Sequence, residues 1–259
     1  MRNQEILGNV LMVISFDGGN YHGWQIQKNA VSIQEIFQEC LAKVIGKAID
    51  IKGCSRTDVG VHANVYCISA DVPIKISEDN LIFALNNLLP NDIVVIKCLK
   101  TGENFHARYS CLAKEYVYKL YFSRIKDPFL NRKVFYYPRC LNIKLMKNAA
   151  KFFVGKHNFS SFYNKNNQKM DLDFTKNIFY FDIEKHEKII EFRIKADGFL
   201  YNMIRIMIGT LIKISKDNLT PETVKFIMNK KDRKYAGPTV PACGLYINKI
   251  FYCSLDFNN

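Results

Sequence analysis

The pattern of apolar and polar positions divides the first part of the chain into six elements. In order, it predicts a strand at residues 11–16, a helix beginning at Ser32, strands near 48–52 and 64–72, a helix at 77–89 and a strand at 93–99. The first helix has the clearest signals, because Ser32 and Glu35 have the spacing of a capping box and Gly46 suits a helix end. Pro90 stops the second helix.

The rest of the chain repeats that order of elements, with one helix added. It predicts a strand at residues 115–122, a helix at 143–154, strands near 177–184 and 188–196, a helix at about 200–215, a short helix opened by Pro221 and a last strand at 244–252. The predicted fold class is α+β, with two similar strand-helix-strand-strand-helix-strand halves at 1–102 and 103–259. Their antiparallel sheets are expected to join around a basic active-site cleft. The polar stretch 164–169 is expected to be an exposed loop.

Composition indicates a class of partner. Of the 259 residues, 48% are hydrophobic and 24% are charged, which is ordinary for a globular protein and argues against wholesale disorder. The 37 lysines and arginines exceed the 24 aspartates and glutamates, giving a net charge of +13. Such a charge attracts polyanions, either nucleic acid or an acidic membrane surface. The alternative is a lysine-biased composition without such a partner; charge alone favours nucleic acid only modestly.

The eight cysteines show no pattern of a metal site. None are spaced as Cys-x-x-Cys, and no histidine lies at metal-ligand spacing from a cysteine pair. A disulfide framework would be unusual at this length, so we expect reduced thiols, mostly in the core, as in a cytosolic protein. The apolar run at residues 6–16 is short and lacks a signal-peptide cleavage site, and no stretch reaches the roughly 18 apolar residues of a membrane span. We therefore expect a soluble, cytoplasmic protein.

The loop at residues 53–63 (GCSRTDVGVHA) holds the densest set of reactive side chains. It lies between two predicted strands, and loops held by a rigid scaffold often carry catalytic residues. Arg56, Asp58 and His62 place a cation, a carboxylate and an imidazole within seven residues. Spacing alone leaves two interpretations open. One is a catalytic loop, and the other is a turn in which Asp58 accepts backbone hydrogen bonds and Arg56 is a surface cation.

Five motifs in this chain resemble those of the tRNA pseudouridine synthase A family and follow the same order. They are FDGGNYHGWQIQ at residues 16–27, RTDVGVHA at 56–63, FHARYS with KEYVY at 105–118, GFLYNMIR at 198–205 and GPTVPACGL at 237–245. The motifs run from Phe16 to Leu245, which is nearly the whole chain. A chance match of five ordered motifs is implausible, so this resemblance is the strongest signal in the sequence.

The resemblance implies that the chain isomerises uridine to pseudouridine in the anticodon stem-loop of tRNA, at positions 38, 39 or 40. This reaction breaks the N1–C1′ bond, turns the uracil over and joins C5 to C1′ without net redox change. It therefore implies no cofactor and no metal, and the motifs of the nicotinamide, flavin and metal enzymes are absent from the sequence. The implied partner is tRNA rather than a membrane. A homodimer is implied by the resemblance alone.

The matched motifs also imply roles for individual residues. Asp58 is the implied catalytic carboxylate, which either attacks a carbon or stabilises positive charge on the ribose. Arg205 is the implied partner that keeps Asp58 ionised in a dry site; an arginine reaching solvent with its stem on the core is the alternative. Tyr116 is implied to stack on the uracil and to help move the C5 proton, whereas Tyr118 on the same strand face can be packing only.

The remaining motif residues have less specific implied roles. The target base must leave its stack before Asp58 can reach it, and Arg56 is a candidate to fill the vacated space or to hold the adjoining phosphate. A further set is expected only to shape the site: Tyr21, Trp24, Gln25 and His62.

Three features depart from the family pattern. Val59 stands where the family usually has Ala or Ser, and Lys176 stands where members often have Arg. Because Lys cannot form a two-pronged contact to phosphate, an RNA contact at that position would be altered. The asparagine-rich stretch 164–169 is atypical as well. These departures bear on the RNA target rather than on the proposed chemistry.

Three other functions compete with this interpretation. A non-catalytic RNA-binding protein or tRNA chaperone would use the same basic surface, but the intact set of Asp58, Tyr116 and Arg205 argues against it. A zinc-dependent base deaminase would need His-x-Glu and Cys-x-x-Cys, which are absent from the sequence. A structural or assembly protein would carry its charge incidentally.

Overall fold

The computed structural model describes residues 6–165 and 173–253. The chain divides into two compact units, the first comprising Met1–Leu112 and Tyr246–Asn259 and the second Ala113–Leu245. The predicted halves, 1–102 and 103–259, were defined by the order of elements rather than by contacts, so that division stays a prediction. The return of the C-terminal segment to the first unit was not expected.

The first unit begins with the six elements that the sequence pattern predicts. They are β1 (Leu7–Phe16), α1 (Ile33–Ile45), β2 (Ile51–Gly53), β3 (His62–Pro73), α2 (Glu78–Leu88) and β4 (Ile93–Lys100). A short 3-10 turn at Gly18–Asn20 follows β1.

The second half of the chain contains nine further elements among the described residues. They are β5 (Cys111–Phe122), β6 (Phe135–Tyr137), α3 (Ile143–Ala150), β7 (Gly155–Asn158), β8 (Thr175–His186), β9 (Ile189–Ala196), α4 (Met203–Lys216), α5 (Thr223–Lys230) and β10 (Leu245–Tyr252). Both units combine helices with mostly antiparallel strands, so the predicted α+β class is confirmed.

In the first unit, β1 is antiparallel to both of its neighbours, β3 and β4. The short strand β2 pairs antiparallel with β3. Strand β10 pairs parallel with the start of β3, where Tyr246 lies opposite His62 and Ile247 opposite Ala63. Residues 62 and 63 end the candidate catalytic loop, so β10 fixes the strand into which that loop leads.

In the second unit, β9 lies between β5 and β8 and is antiparallel to both. Strand β7 extends this sheet beside β8, and β6 runs parallel to β5. Alternate residues of β9 are buried, and Phe192 and Ile194 are inaccessible to solvent. Ten residues of α4 are buried. A helix buried on most of its sides needs apolar residues all round, and the sequence of α4 is accordingly almost continuously apolar.

The start of α1 confirms the predicted capping box. The Ser32 hydroxyl accepts a hydrogen bond from the Glu35 N–H at 3.3 Å, and the Glu35 carboxylate accepts one from the Ser32 N–H at 3.4 Å. Gly46 ends the helix with φ +83°. Ser77 likewise caps α2, by accepting from the Asn80 N–H.

Other boundaries differ from the pattern. The predicted helix 143–154 is α-helical only to Ala150 and continues as a 3-10 turn to Phe153. Helix α4 starts at Met203 because Asn202 is left-handed, with φ +61°. Strands β6 and β7 were not predicted, because β6 (FYY) is wholly aromatic and β7 (GKHN) has no apolar side chain, so neither alternates apolar and polar residues.

The expectations about the cysteines, about membrane-spanning helices and about the loop at 164–169 have different outcomes. All eight cysteines are free, but only four are buried: Cys40, Cys54, Cys67 and Cys98. Within the described ranges, no helix combines the length and apolar character needed to cross a membrane. Of the predicted loop 164–169, residues 166–169 lie outside the described residues.

Candidate active site

The loop that carries Asp58 leaves β2 and is fastened to β3 at its start. The Tyr66 hydroxyl donates a short hydrogen bond to the Ser55 carbonyl and accepts one from the Ser55 N–H at 3.4 Å. The Cys54 N–H donates to the Cys67 carbonyl at 2.9 Å, and the Cys67 N–H approaches the Cys54 sulfur at 3.4 Å. Since β3 is a central strand of its sheet, these contacts give the loop a rigid base.

The middle of the loop is a turn that begins at Asp58. The Val61 N–H donates to the Asp58 carbonyl at 3.2 Å, and the Gly60 N–H donates to the Tyr21 carbonyl at 3.3 Å. The Asp58 side chain is half-buried, whereas Arg56 is exposed. The Thr57 hydroxyl oxygen is buried and has no hydrogen-bond partner among the described residues.

Residues 17–27 pack against this loop so closely that two of them must be glycine. A Cβ atom on Gly23 would lie 2.2 Å from the Thr57 carbonyl oxygen, and one on Gly18 would lie 1.9 Å from the Val61 carbonyl oxygen. Gly23 also has φ +82°, a conformation that other residues rarely adopt. The two loops therefore meet backbone to backbone on both sides of Asp58.

His62, at the end of the Asp58 loop, contacts the start of the glycine-containing loop. Its ring is 2% exposed and stacks on Tyr246 at 4.6 Å. Its Nδ1 lies 2.9 Å from the Asp17 carboxylate and 3.1 Å from the Gly18 nitrogen. With a proton on Nδ1 the ring donates to Asp17, and without it the ring accepts from Gly18. Either form holds His62 to the start of the glycine-containing loop.

The other residues expected to shape the site all pack within the first unit. The Trp24 ring lies 4.4 Å from Tyr66 and is buried, so it supports the residue that fastens Ser55. The Tyr21 hydroxyl donates to the Asp92 carboxylate at 2.5 Å. Burial and this carboxylate raise the pKa of Tyr21 well above its usual value, so the phenol stays protonated. The Gln25 amide donates to Gln34 on α1.

Arg205 belongs to the second unit, where the loop at 237–241 packs on α4. Its Nε donates to the Val240 carbonyl at 2.7 Å, and its Nη1 donates to the Asn202 side-chain oxygen at 2.6 Å. Gly209 allows the same loop to approach, because a Cβ there would lie 1.8 Å from the Pro238 carbonyl oxygen. The guanidinium is therefore held in one orientation by backbone and side chain.

Tyr116 and Tyr118 have different surroundings, although they alternate on β5. The Tyr118 hydroxyl donates to the Pro241 carbonyl at 2.8 Å, and the side chain is fully buried. Burial raises the pKa of Tyr118 well above its usual value. Tyr116 is 7% exposed and meets the Phe199 ring edge-on at 5.1 Å. Tyr118 is thus an anchor for the 237–241 loop, as its packing interpretation predicts.

The structure gathers the predicted residues into two sets, one in each unit. Asp58 and Arg56 lie on the loop of the first unit, and Tyr116 and Arg205 belong to the second. Lys176 donates to the Asp173 carbonyl at 2.9 Å. No cluster of histidine, cysteine or carboxylate side chains suited to a metal ion occurs in the described ranges.

Sequence reasoning missed Gly18, Gly23 and Tyr66 as determinants of the loop. The two glycines belong to the matched motif at 16–27, but their close approach to the Asp58 loop depends on tertiary contacts. Tyr66 belongs to none of the five motifs. An inward-facing aromatic residue on β3 was its only signal, and that signal is shared by many core residues.

Comparison with known proteins gives one consistent result. A family described as tRNA pseudouridine synthase matches residues 12–110 and 149–252. A tRNA pseudouridine synthase A from Thermoanaerobacter sp. strain X514 is 41% identical over 244 residues, covering 94% of this chain and 99% of the relative. The protein of the same name from Clostridium kluyveri is 40% identical over 245 residues, with the same coverage. Among solved structures, a Cbf5-Nop10-Gar1 complex matches at a TM-score of 0.34 and 11% identity, covering 92% of this chain and 57% of the other; this is not evidence of a shared fold.

Proposed function

Because the chain belongs to the tRNA pseudouridine synthase family, we propose that it converts uridine to pseudouridine in the anticodon stem-loop of tRNA, at positions 38, 39 or 40, with Asp58 as the catalytic carboxylate. Family membership makes it an isomerase that modifies tRNA. The observation that carries the role of Asp58 is the double backbone contact of its loop, at Gly23 and at Gly18. Such contacts preorganise a reacting group, and preorganisation is a large source of catalytic rate.

The chemistry needs a carboxylate at the ribose and a route for one proton. The N1–C1′ bond breaks, the uracil turns over and C5 bonds to C1′. C5 then loses its proton and N1, freed from C1′, gains one, so atoms and electrons balance without an oxidant or reductant. Asp58 either forms a transient bond to carbon, which breaks again before the product leaves, or stabilises the positive charge that develops on the ribose. Neither route requires a metal or an organic cofactor.

Tyr116 and Arg205 complete the proposed set. We assign Tyr116 to the uracil, because Lys114-Glu115-Tyr116 matches the Lys-x-Tyr pattern of the family. We assign Arg205 to Asp58, since a guanidinium beside the carboxylate would keep it ionised in a site that excludes water. The bonds from Arg205 to Val240 and Asn202 support this role, because they fix its direction before any ligand binds.

RNA recognition rests on cations and shape. Arg56 is exposed and two residues from Asp58, which suits a side chain that replaces the extracted base or holds its phosphate. The charge of +13 supplies the attraction for the tRNA backbone. We further propose a homodimer and a cytoplasmic location, the latter because tRNA is the substrate.

The direct test supplies the purified protein with an unmodified tRNA transcript and no additive. Pseudouridine should form at positions 38, 39 or 40, and a transcript with cytidine at all three should yield none there. Product at other positions only would contradict the proposed target. A protein that binds the transcript but forms no pseudouridine would instead support the RNA-binding or chaperone alternative.

Asp58→Asn keeps the shape of the side chain and removes its charge. We expect pseudouridine formation to fall below detection while tRNA affinity changes little, because phosphate contacts dominate affinity and the carboxylate acts in the transition state. Asp50→Asn is the matched control, since Asp50 is exposed and pairs with the neighbouring Lys52. It removes the same charge and should retain full turnover. Asp58→Asn turnover close to that of Asp50→Asn would remove Asp58 from the mechanism.

A further inference from the structure

A basic groove lies on the second unit, between residues 152–158 and helix α5. Its volume is about 480 Å³, and its lining includes Phe152, His157, Asn158, Lys225, Asn229 and Lys231. Among the described residues, no aspartate or glutamate lines it. None of these residues belongs to the five matched motifs. We call this feature the α5 groove.

Two lysines supply the positive charge of the α5 groove, one held through its ammonium and the other through its backbone. The Lys225 ammonium lies 4.6 Å from the centre of the Phe152 ring, within the range of a cation–π contact. Lys231 caps the end of α5 in a left-handed conformation, with φ +49°. His157 is fixed as well, because its Nε2 lies 2.9 Å from the Val154 carbonyl oxygen and donates to it.

Helix electrostatics account for only one of the two lysines. A cation at the C-terminal end of a helix is favoured by the helix dipole, which explains Lys231. Lys225 is the third residue of α5, where the dipole favours an acidic side chain instead. The helix dipole alone therefore disfavours Lys225, whereas its contact with Phe152 favours it and an anionic ligand in the groove would favour it further.

Exposed aromatic residues continue the basic surface along the outer side of α5. Phe226 is 52% exposed and meets Tyr235 edge-on at 5.9 Å. The Lys230 ammonium lies 5.1 Å from the Phe226 ring and 5.7 Å from the Tyr235 ring. Interleaved cations and exposed rings are typical of surfaces that hold a nucleic acid strand.

We propose that the α5 groove binds phosphates of the tRNA backbone, with Lys225 and Lys231 as the contacts. This proposal rests on the proposed function, which makes tRNA the substrate. A strand of RNA fits the shape better than a membrane does, because a concave groove cannot lay its cations on a flat lipid surface. Backbone contacts of this kind position a nucleic acid without reading its sequence.

The test compares the salt dependence of tRNA binding for two charge-matched double variants. In Lys225→Gln/Lys231→Gln, the slope of log Kd against log salt should fall by about 1.4 to 1.8, because each lost contact releases about 0.7–0.9 fewer counterions. With equal affinities at about 1 M salt, where this electrostatic contribution vanishes, affinity at about 0.1 M should fall about 25- to 60-fold. The control is Lys185→Gln/Lys188→Gln, on the β8–β9 hairpin. It removes the same charge, and Lys185 also lies over a ring, 5.5 Å from that of Phe122. We expect its slope and affinity to match wild type. Lys225→Arg/Lys231→Arg keeps both charges and should retain the wild-type slope.

Several outcomes would refute phosphate binding in the α5 groove. Equal losses in both glutamine variants would show an effect of net charge, and an unchanged slope in the Lys225/Lys231 variant would show that these lysines touch no phosphate. If Lys225→Gln/Lys231→Gln lost binding to phosphatidylserine vesicles but kept its binding to tRNA, the groove would be a membrane-binding site instead. Wild-type protein that binds tRNA without forming pseudouridine would refute the proposed function alone, since the salt slopes are measured without turnover.

Discussion

Gly23→Ala tests whether the backbone contact between the two loops positions Asp58. The added Cβ would lie 2.2 Å from the Thr57 carbonyl oxygen, whereas real contacts of this kind are essentially never under 3.0 Å. The loops must therefore separate by at least 0.8 Å, the difference between those two distances. Thr57 is the residue before Asp58, so the displacement reaches the carboxylate almost undiminished.

The expected loss of rate follows from that displacement. A reacting group misplaced by about 1 Å can lose about 100-fold in rate, which equals about 2.7 kcal/mol of transition-state stabilisation. Alanine at φ +82° also costs about 1–2 kcal/mol of conformational energy. The variant should thus lose both stability and turnover, and the two effects have to be separated.

Gly46→Ala separates them, because Gly46 has nearly the same φ and no crowding. Its φ is +83°, and no atom lies within 4 Å of the added Cβ. In urea unfolding we expect Gly23→Ala to lose at least as much stability as Gly46→Ala. Only Gly23→Ala should slow single-turnover pseudouridine formation, by about 100-fold. Affinity for tRNA should be unchanged in both. A Gly23→Ala rate within about three-fold of the Gly46→Ala rate would show that the contact does not position Asp58.

Two further predictions concern the second unit and the absence of a metal. Arg205→Lys loses the two-pronged geometry that reaches Val240 and Asn202, so we expect single-turnover rates to fall at least ten-fold while the salt slope of tRNA binding stays at the wild-type value. A slope lowered by about one, with the rate preserved, would make Arg205 a phosphate contact instead. EDTA should leave turnover in place once any effect on tRNA folding is measured separately by melting the transcript. Complete loss restored by one particular divalent ion would contradict a metal-free reaction.

The sequence by itself determined the features that depend on neighbouring residues. The cap of α1 was predictable because Ser32 and Glu35 are three residues apart and satisfy each other's backbone groups. The main strands and helices were predictable because their apolar periodicity extends over eight residues or more. The candidate chemistry was also local, since Asp58 lies within a short motif that resembles one of a known family.

Only the tertiary structure decided how those pieces meet. The approach of Gly23 to Thr57 joins two loops that are separated in the chain by all of α1 and β2, and no local pattern encodes such a distance. The same holds for β10, whose Tyr246 stacks on His62 from the other end of the chain. Two tyrosines of one strand face differ because the 237–241 loop accepts a hydrogen bond from Tyr118, whereas Tyr116 meets Phe199. Contacts between segments that are distant in the chain depend on the packing of the whole unit. Periodicity and spacing therefore predicted the helices and strands but not these contacts.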